Sequence, residues 1–138
     1  MNWAPRIFQS SVVLASMLVK PARGAAGIVR VTDRRGAHLG QALYSPRSEI
    51  RLRLLETSDT VIDAAWWAAR IGAAAARRLG IASDALRIVH AEGDGLPSLV
   101  IDRYGPYIVA QILSAGLETV EADVLEGIRA ALAPDGVL

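Results

Sequence analysis

The sequence contains no cysteine in its 138 residues. That excludes a disulfide framework, a zinc–thiolate centre and a thiol nucleophile, and it fits a cytoplasmic protein. No apolar run reaches the ~18–20 residues that a membrane span requires. The nearest, residues 7–19, follows Arg6 and precedes Ala22-Arg23-Gly24-Ala25, so it imitates a secretory leader. One charge ahead of it and Gln9-Ser10-Ser11 within it weaken that likeness, and a small secreted domain cleaved near Ala25 stands as an alternative. Also missing are a serine elbow, an H-E-x-x-H pair and a P-loop lysine.

Net charge is almost absent, at +1, but the two halves differ. Residues 1–60 hold nine Lys/Arg against four Asp/Glu, and residues 61–138 hold six against ten. A basic first half suits contact with phosphates. Hydrophobic residues at 52% and charged ones at 21% argue for a packed chain and against disorder.

Residues 1–26 carry little signal. Val12–Val19 is too short an apolar run to separate strand from helix, and Lys20–Gly24 reads as a loop. Ile28–Thr32 is predicted as a strand. Asp33-Arg34-Arg35-Gly36 has the residues of a type I turn with a bulge, and Ala37–Tyr44 returns as the partner strand. After a turn at Ser45–Ser48, Glu49–Leu54 alternates. The alternation places Ile50, Leu52 and Leu54 on one face and Glu49, Arg51 and Arg53 on the other. Several short strands with tight turns suggest a small barrel or partial barrel. Glu56–Asp59 is the expected boundary between domains at 1–57 and 58–138.

Thr60 followed by Asp63 approximates a capping box, and a helix is expected from Val61 to about Leu79. Its apolar stripe would be Ile62, Trp66, Ala69 and Ala73. Trp66-Trp67 would serve as core, Arg77-Arg78 would face the dipole, and Gly80 would stop the helix. Near the other end, Leu117, Val120, Val124, Ile128 and Leu132 recur at helical spacing. Glu118 and Glu121 would fall in the first turns of that second helix. Val137-Leu138 looks like the start of a buried strand, which suggests that the chain stops at a truncation point.

Between the helices, Leu86–Ala91, Ser98–Asp102 and Tyr107–Leu113 are predicted as a three-stranded meander. Its first corner packs Gly93, Asp94, Gly95 and Pro97 into five positions; its second is Arg103–Pro106. Asp94-Gly95-Leu96-Pro97, followed by Leu99 to Asp102 and then Arg103-Tyr104-Gly105, resembles the signature of one family. That family is the class I S-adenosylmethionine-dependent methyltransferases that form 5-methylcytosine in large-subunit ribosomal RNA. The likeness runs from about Gly27 to Leu138. Ala4-Pro5-Arg6-Ile7-Phe8 stands where the family has a His-Pro-Trp-hydrophobic-Phe motif, and Ala4 and Arg6 depart from it.

The resemblance implies an α+β chain: a small PUA-like β-barrel that binds RNA, then a central α/β domain with the meander and two helices. It also implies S-adenosylmethionine as the cofactor of full-length members and ribosomal RNA as the partner. Within the chain itself no cofactor, metal or membrane site is expected. The one Gly-x-Gly, Gly93-Asp94-Gly95, opens onto a proline and a strand, whereas the adenosyl cofactor needs a glycine loop that opens onto a helix. No thiolate is present to add to a cytosine ring. The expected role is therefore RNA docking without catalysis, through Arg34, Arg35, Arg47, Arg51 and Arg53. A standalone RNA-binding module with no enzyme role is the main rival. Glu92, Asp94 and Asp102 cluster at the sharp corner and could form an acid–base pair, but Asp94 between glycines reads first as a turn residue. His90 is expected on the same strand face as Leu86 and Ile88. His38, beside a hairpin, could touch phosphate.

Overall fold

A computed structural model describes residues 25–138. The Ala4–Phe8 motif, the apolar run at 7–19 and the loop at 20–24 lie outside the described residues. The chain is α+β, as expected, and divides into two units. One comprises the residues up to Thr60 together with Ser114–Thr119; the other comprises Val61–Leu113 and Val120–Leu138.

In the first unit, β1 (Gly27–Thr32), β2 (His38–Tyr44) and β3 (Leu52–Glu56) form an antiparallel sheet in that order. Asp33 makes the first turn: its Oδ1 accepts from the backbone N–H groups of Arg35 and Ala37, each at 2.8 Å. Ala42, Tyr44 and Leu52 are buried together, with Val29 and Val31 against them. The expected strict alternation through Leu54 fails. The register jumps from Gln41 paired with Glu56 to Ala42 paired with Leu54, which leaves Leu55 as an extra residue. Leu55 turns inward and Leu54 is left 45% exposed, as a β-bulge dictates. A short helix, α2 (Ala115–Glu118), seats on this unit. Ser45 Oγ accepts from Gly116 N–H at 3.0 Å, and a Cβ on Gly116 would lie 2.8 Å from the Tyr44 carbonyl oxygen.

In the second unit, α1 spans Ala64–Ala76. Its cap is Asp63 rather than Thr60: the carboxylate accepts from Trp66 N–H at 2.9 Å. The buried stripe is Trp66, Trp67, Ile71 and Ala74, whereas Ala69 and Ala73 are exposed. The late start moves the stripe because the two tryptophans, not the alanines, have apolar area worth burying. α1 packs on α3 (Glu121–Leu132) where Gly127 allows close approach; a Cβ there would lie 2.7 Å from Trp67 Cβ. The single second helix expected from Leu117 to Leu132 is in fact two. Thr119 Oγ1 donates to Gly116 O, and Val120 at φ −120° and ψ 21° leaves helical geometry.

The meander is present as β4 (Ala85–His90), β5 (Leu99–Tyr104) and β6 (Tyr107–Ile112). A fourth strand, β7 (Gly136–Val137), pairs parallel with β6, so the sheet is mixed. Ile88, Val89, Leu99, Ile101 and Ile108 are buried on its core face. Arg103 joins that face and donates to the Leu132 carbonyl at 3.1 Å, closing the end of α3.

Candidate functional site

The corner between β4 and β5 concentrates the chain's polar chemistry. A short 3₁₀ turn, Ala91–Asp94, leads into Gly95 at φ 70°, and Ser98 adopts φ 67°. A serine in the left-handed region is held there by its surroundings. It is 5% exposed, and its carbonyl accepts from Leu113 N–H at 2.9 Å. Leu96 is fully buried beneath the turn.

Asp94 is more than a local turn residue. Its Oδ1 accepts from Arg77 Nη2 at 2.6 Å and Arg78 Nη1 at 3.0 Å; its Oδ2 accepts from Arg78 Nη2 at 2.7 Å and His90 N–H at 2.6 Å. The carboxylate is 4% exposed. Burial alone would raise its pKa, but the hydrogen bonds from Arg78, Arg77 and the His90 amide outweigh that and lower it to about 2. Arg77 and Arg78, expected to face the helix dipole, therefore tie the end of α1 to the signature turn. Sequence reasoning named all three residues but had no signal for pairing them across this separation.

Asp102 is also engaged. Arg87 Nε and Nη2 donate to its two oxygens at 2.8 and 3.0 Å, a bidentate fork. Those hydrogen bonds hold the Asp102 carboxyl below its ordinary range and raise Arg87. His90 lies within reach, with Nδ1 3.5 Å from Arg87 Nη1. It is exposed on the face opposite Leu86 and Ile88, not beside them, because the register shifts between Arg87 and Val89. With Asp94 and Asp102 both held ionised by arginines, neither is poised to give or take a proton near neutral pH. The acid–base reading of this corner is therefore unsupported.

Gly105, at φ 56°, and Pro106 form the second corner, and Gly105 N–H donates to Asp84 O at 2.6 Å. Tyr104 faces solvent.

The five arginines proposed for RNA contact do not converge. Arg34 and Arg35 are exposed at the β1–β2 tip, while Arg47 and Arg51 are exposed in the β2–β3 connection. In an antiparallel meander these turns lie at opposite ends of β2, roughly 20 Å apart for a strand of this length. Arg53 is half-buried, and its guanidinium donates to Ile50 O at 2.8 Å. His38 is half-buried, and neither ring nitrogen has a hydrogen-bond partner among the described residues.

Among the described residues no cluster of three metal-ligating side chains occurs, and no helix is long and apolar enough to cross a membrane. The adenosyl cofactor implied by the signature does not fit the described residues. The Gly93–Gly95 turn runs into Pro97 and β5, and its carboxylate is already taken by two arginines. No helix N-terminus opens behind it to receive an anion.

Residues 7–57 match the PUA-like domain family. The chain is 38% identical over 140 residues to a ribosomal RNA large subunit methyltransferase of Deinococcus radiodurans, covering 95% of this chain and 33% of that protein. It is 39% identical over 115 residues to ribosomal RNA large subunit methyltransferase I of Photobacterium profundum, covering 80% of this chain and 28% of that one. A Streptococcus mutans structure assigned to the SAM-dependent methyltransferases shares the fold, with a TM-score of 0.75 at 15% identity over 88% of this chain and 33% of its own. The chain thus spans about a third of the length of the curated relatives it matches. It carries a PUA-like domain and is homologous to the ribosomal RNA large subunit methyltransferases.

Proposed function

We propose that this chain is the RNA-docking portion of an S-adenosylmethionine-dependent ribosomal RNA (cytosine-C5) methyltransferase of the cytoplasm, and that methyl transfer requires residues beyond these 138. The observation that carries the reading is the alignment itself: 95% of the chain is accounted for by one third of a ribosomal RNA methyltransferase. Two features of the chain support the division of labour. It has no cysteine to add to a pyrimidine, and its one Gly-x-Gly turn is closed by the Asp94 ion pairs. The PUA-like unit, expected at 1–57 and here joined by Ser114–Thr119, docks ribosomal RNA; the α/β unit, expected at 58–138, is Val61–Leu113 with Val120–Leu138.

Docking uses two basic patches, Arg34 with Arg35 and Arg47 with Arg51, each meeting a different stretch of phosphate. Arg53 acts differently. With its guanidinium on Ile50 O, it shapes the connection that presents Arg51. The test is fluorescence anisotropy with a labelled large-subunit ribosomal RNA fragment between roughly 50 and 200 mM salt. Arg51→Ala should flatten the slope of log affinity against log salt by about 0.7–0.9, and the Arg34→Ala/Arg35→Ala pair by about twice that. Arg129→Ala on α3 should leave the slope alone. Unchanged slopes in both basic variants would mean that these arginines are merely solvated. Calorimetry with S-adenosylmethionine should show no saturable heat; a micromolar dissociation constant would overturn the division of labour.

A further inference from the structure

After β3 the first unit ends in Thr57-Ser58-Asp59-Thr60, a composition that reads as an ordinary polar linker. The structure fastens it down. One cross-strand row of the first sheet does the fastening: Arg30 on β1 pairs with Gln41 on β2, and Gln41 pairs with Glu56 on β3. Glu56 Oε1 accepts from the N–H groups of Thr57 at 2.8 Å and Ser58 at 3.2 Å. Gln41 Nε2 donates to the carbonyls of Ser58 and Thr60, the residues on either side of Asp59. The hydroxyls of Ser58 and Thr60 share a hydrogen bond at 2.8 Å. Between these anchors the Asp59 carboxylate is presented to Arg30, with Oδ2 3.5 Å from Nη2.

The three side chains of the row do different work. Gln41 and Glu56 hold backbone groups, so they locate the strap without help from the ion pair. The Arg30–Asp59 pair is loose by comparison. Its side chains are 57% and 66% exposed, and a pair so open to water contributes little to stability. Arg30 stands on the face of β1 opposite Val29 and Val31, which pack into the core. It lies two residues before the end of β1, on the side of the hairpin tip that carries Arg34 and Arg35. A guanidinium receives a phosphate through the same donors that receive a carboxylate.

From this arrangement we infer that Arg30 is a further phosphate contact of the first unit and that Asp59 is its internal competitor. In the absence of RNA, the strap keeps a carboxylate on the guanidinium. When an RNA backbone arrives, a phosphate takes that place and the Asp59 side chain swings into water, while Gln41 and Glu56 keep the strap where it is. The contact is autoinhibitory in a graded sense: it weakens docking by the strength of one exposed ion pair and disfavours weak, non-specific partners most. The inference rests on the RNA-docking reading above and deepens it.

The test uses the 138-residue chain and the labelled large-subunit ribosomal RNA fragment, with anisotropy read between roughly 50 and 200 mM salt. Asp59→Asn should bind about two- to five-fold more tightly at low salt. Its slope of log affinity against log salt should steepen by about 0.7–0.9, because an unpaired Arg30 carries a counterion of its own to release. In an Arg30→Ala background the same substitution should change neither quantity. Equal gains with and without Arg30 would mean that any negative charge on the unit opposes RNA, and would overturn the inference, as would the absence of a gain. Melting temperatures should stay within about 4 °C of the parent. A larger fall in Asp59→Asn would give the pair a structural role instead and overturn the competitor. If the Arg34→Ala/Arg35→Ala pair weakens binding while Asp59→Asn does nothing, docking stands and only the competitor falls. If the parent does not bind the fragment at all, both fall.

Discussion

Replacing Asp94 with Asn isolates the ion pairs that close the signature turn. The substitution keeps the shape and one accepting oxygen but removes the charge, leaving Arg78, 19% exposed, and Arg77, 52% exposed, without a carboxylate to pair with. The size of the effect follows from the carboxyl's pKa, lowered from 3.8 to about 2. At 1.36 kcal/mol per unit this corresponds to about 2 kcal/mol. The folded pKa lies below the unfolded one, so the unfolded chain binds more protons between these values. The contribution is therefore complete above about pH 5 and is lost as pH falls through 3.8 towards 2. For a unit of roughly seventy residues, 2 kcal/mol lowers the melting temperature by about 8–16 °C. The edge-to-face pair Trp66–Trp67, with centroids 5.0 Å apart, provides a near-ultraviolet circular dichroism signal inside that unit. Parent and Asp94→Asn should differ by this amount at pH 7 and converge by about pH 2. Equal melting at pH 7, or a gap that persists undiminished at pH 2, would refute the assignment of the stability to these ion pairs.

Gly127→Ala should destabilise the second unit by about 1–3 kcal/mol, despite the better helix propensity of alanine, because its Cβ would meet Trp67 Cβ at 2.7 Å and Ala68 N at 2.9 Å. Chemical denaturation followed by tryptophan fluorescence measures this; a stabilised variant would contradict the close packing of α1 and α3. Gly40→Ala should be severe, at more than about 2 kcal/mol, since a Cβ at φ +156° would sit 2.5 Å from the Glu56 carbonyl oxygen. Hydrogen exchange should then accelerate in β3. Gly36→Asn is the contrast: φ is +85°, but nothing lies within 4 Å, so a loss below about 1 kcal/mol is expected.

What the sequence disclosed was local. The Asp33–Gly36 turn and the three strands of the meander follow from residue types a few positions apart; the helix expected to run to about Leu79 ends earlier, at Ala76, with Arg77 as its cap. What it concealed depended on partners far along the chain. The bulge that buries Leu55 is marked by no residue of β3 itself; its trace is Gly40, across the sheet, where a side chain would strike Glu56. The break at Thr119–Val120 was hidden because Leu117, Val124 and Ile128 keep helical spacing through it, although all three are fully buried. The candidate site divides the same way. Arg34, Arg35, Arg47 and Arg51 were legible as exposed cations, but the length of β2, which separates them into two groups, mattered only once the strand order was known. Asp94 was legible as a turn former, and its arginine partners were not.

The six residues Ser114–Thr119 belong to the first unit although the meander precedes them. The order of synthesis is therefore not the order of completion. A ribosome delivers Thr60 and must add some sixty more residues before the helix that seats on Ser45 and Tyr44 emerges. At about 5–20 residues per second that is a delay of roughly 3–12 s. During this interval the first sheet exists without α2, because β4, β5 and β6 are all made before it. A gene cut between residues 60 and 114 would make that waiting state permanent.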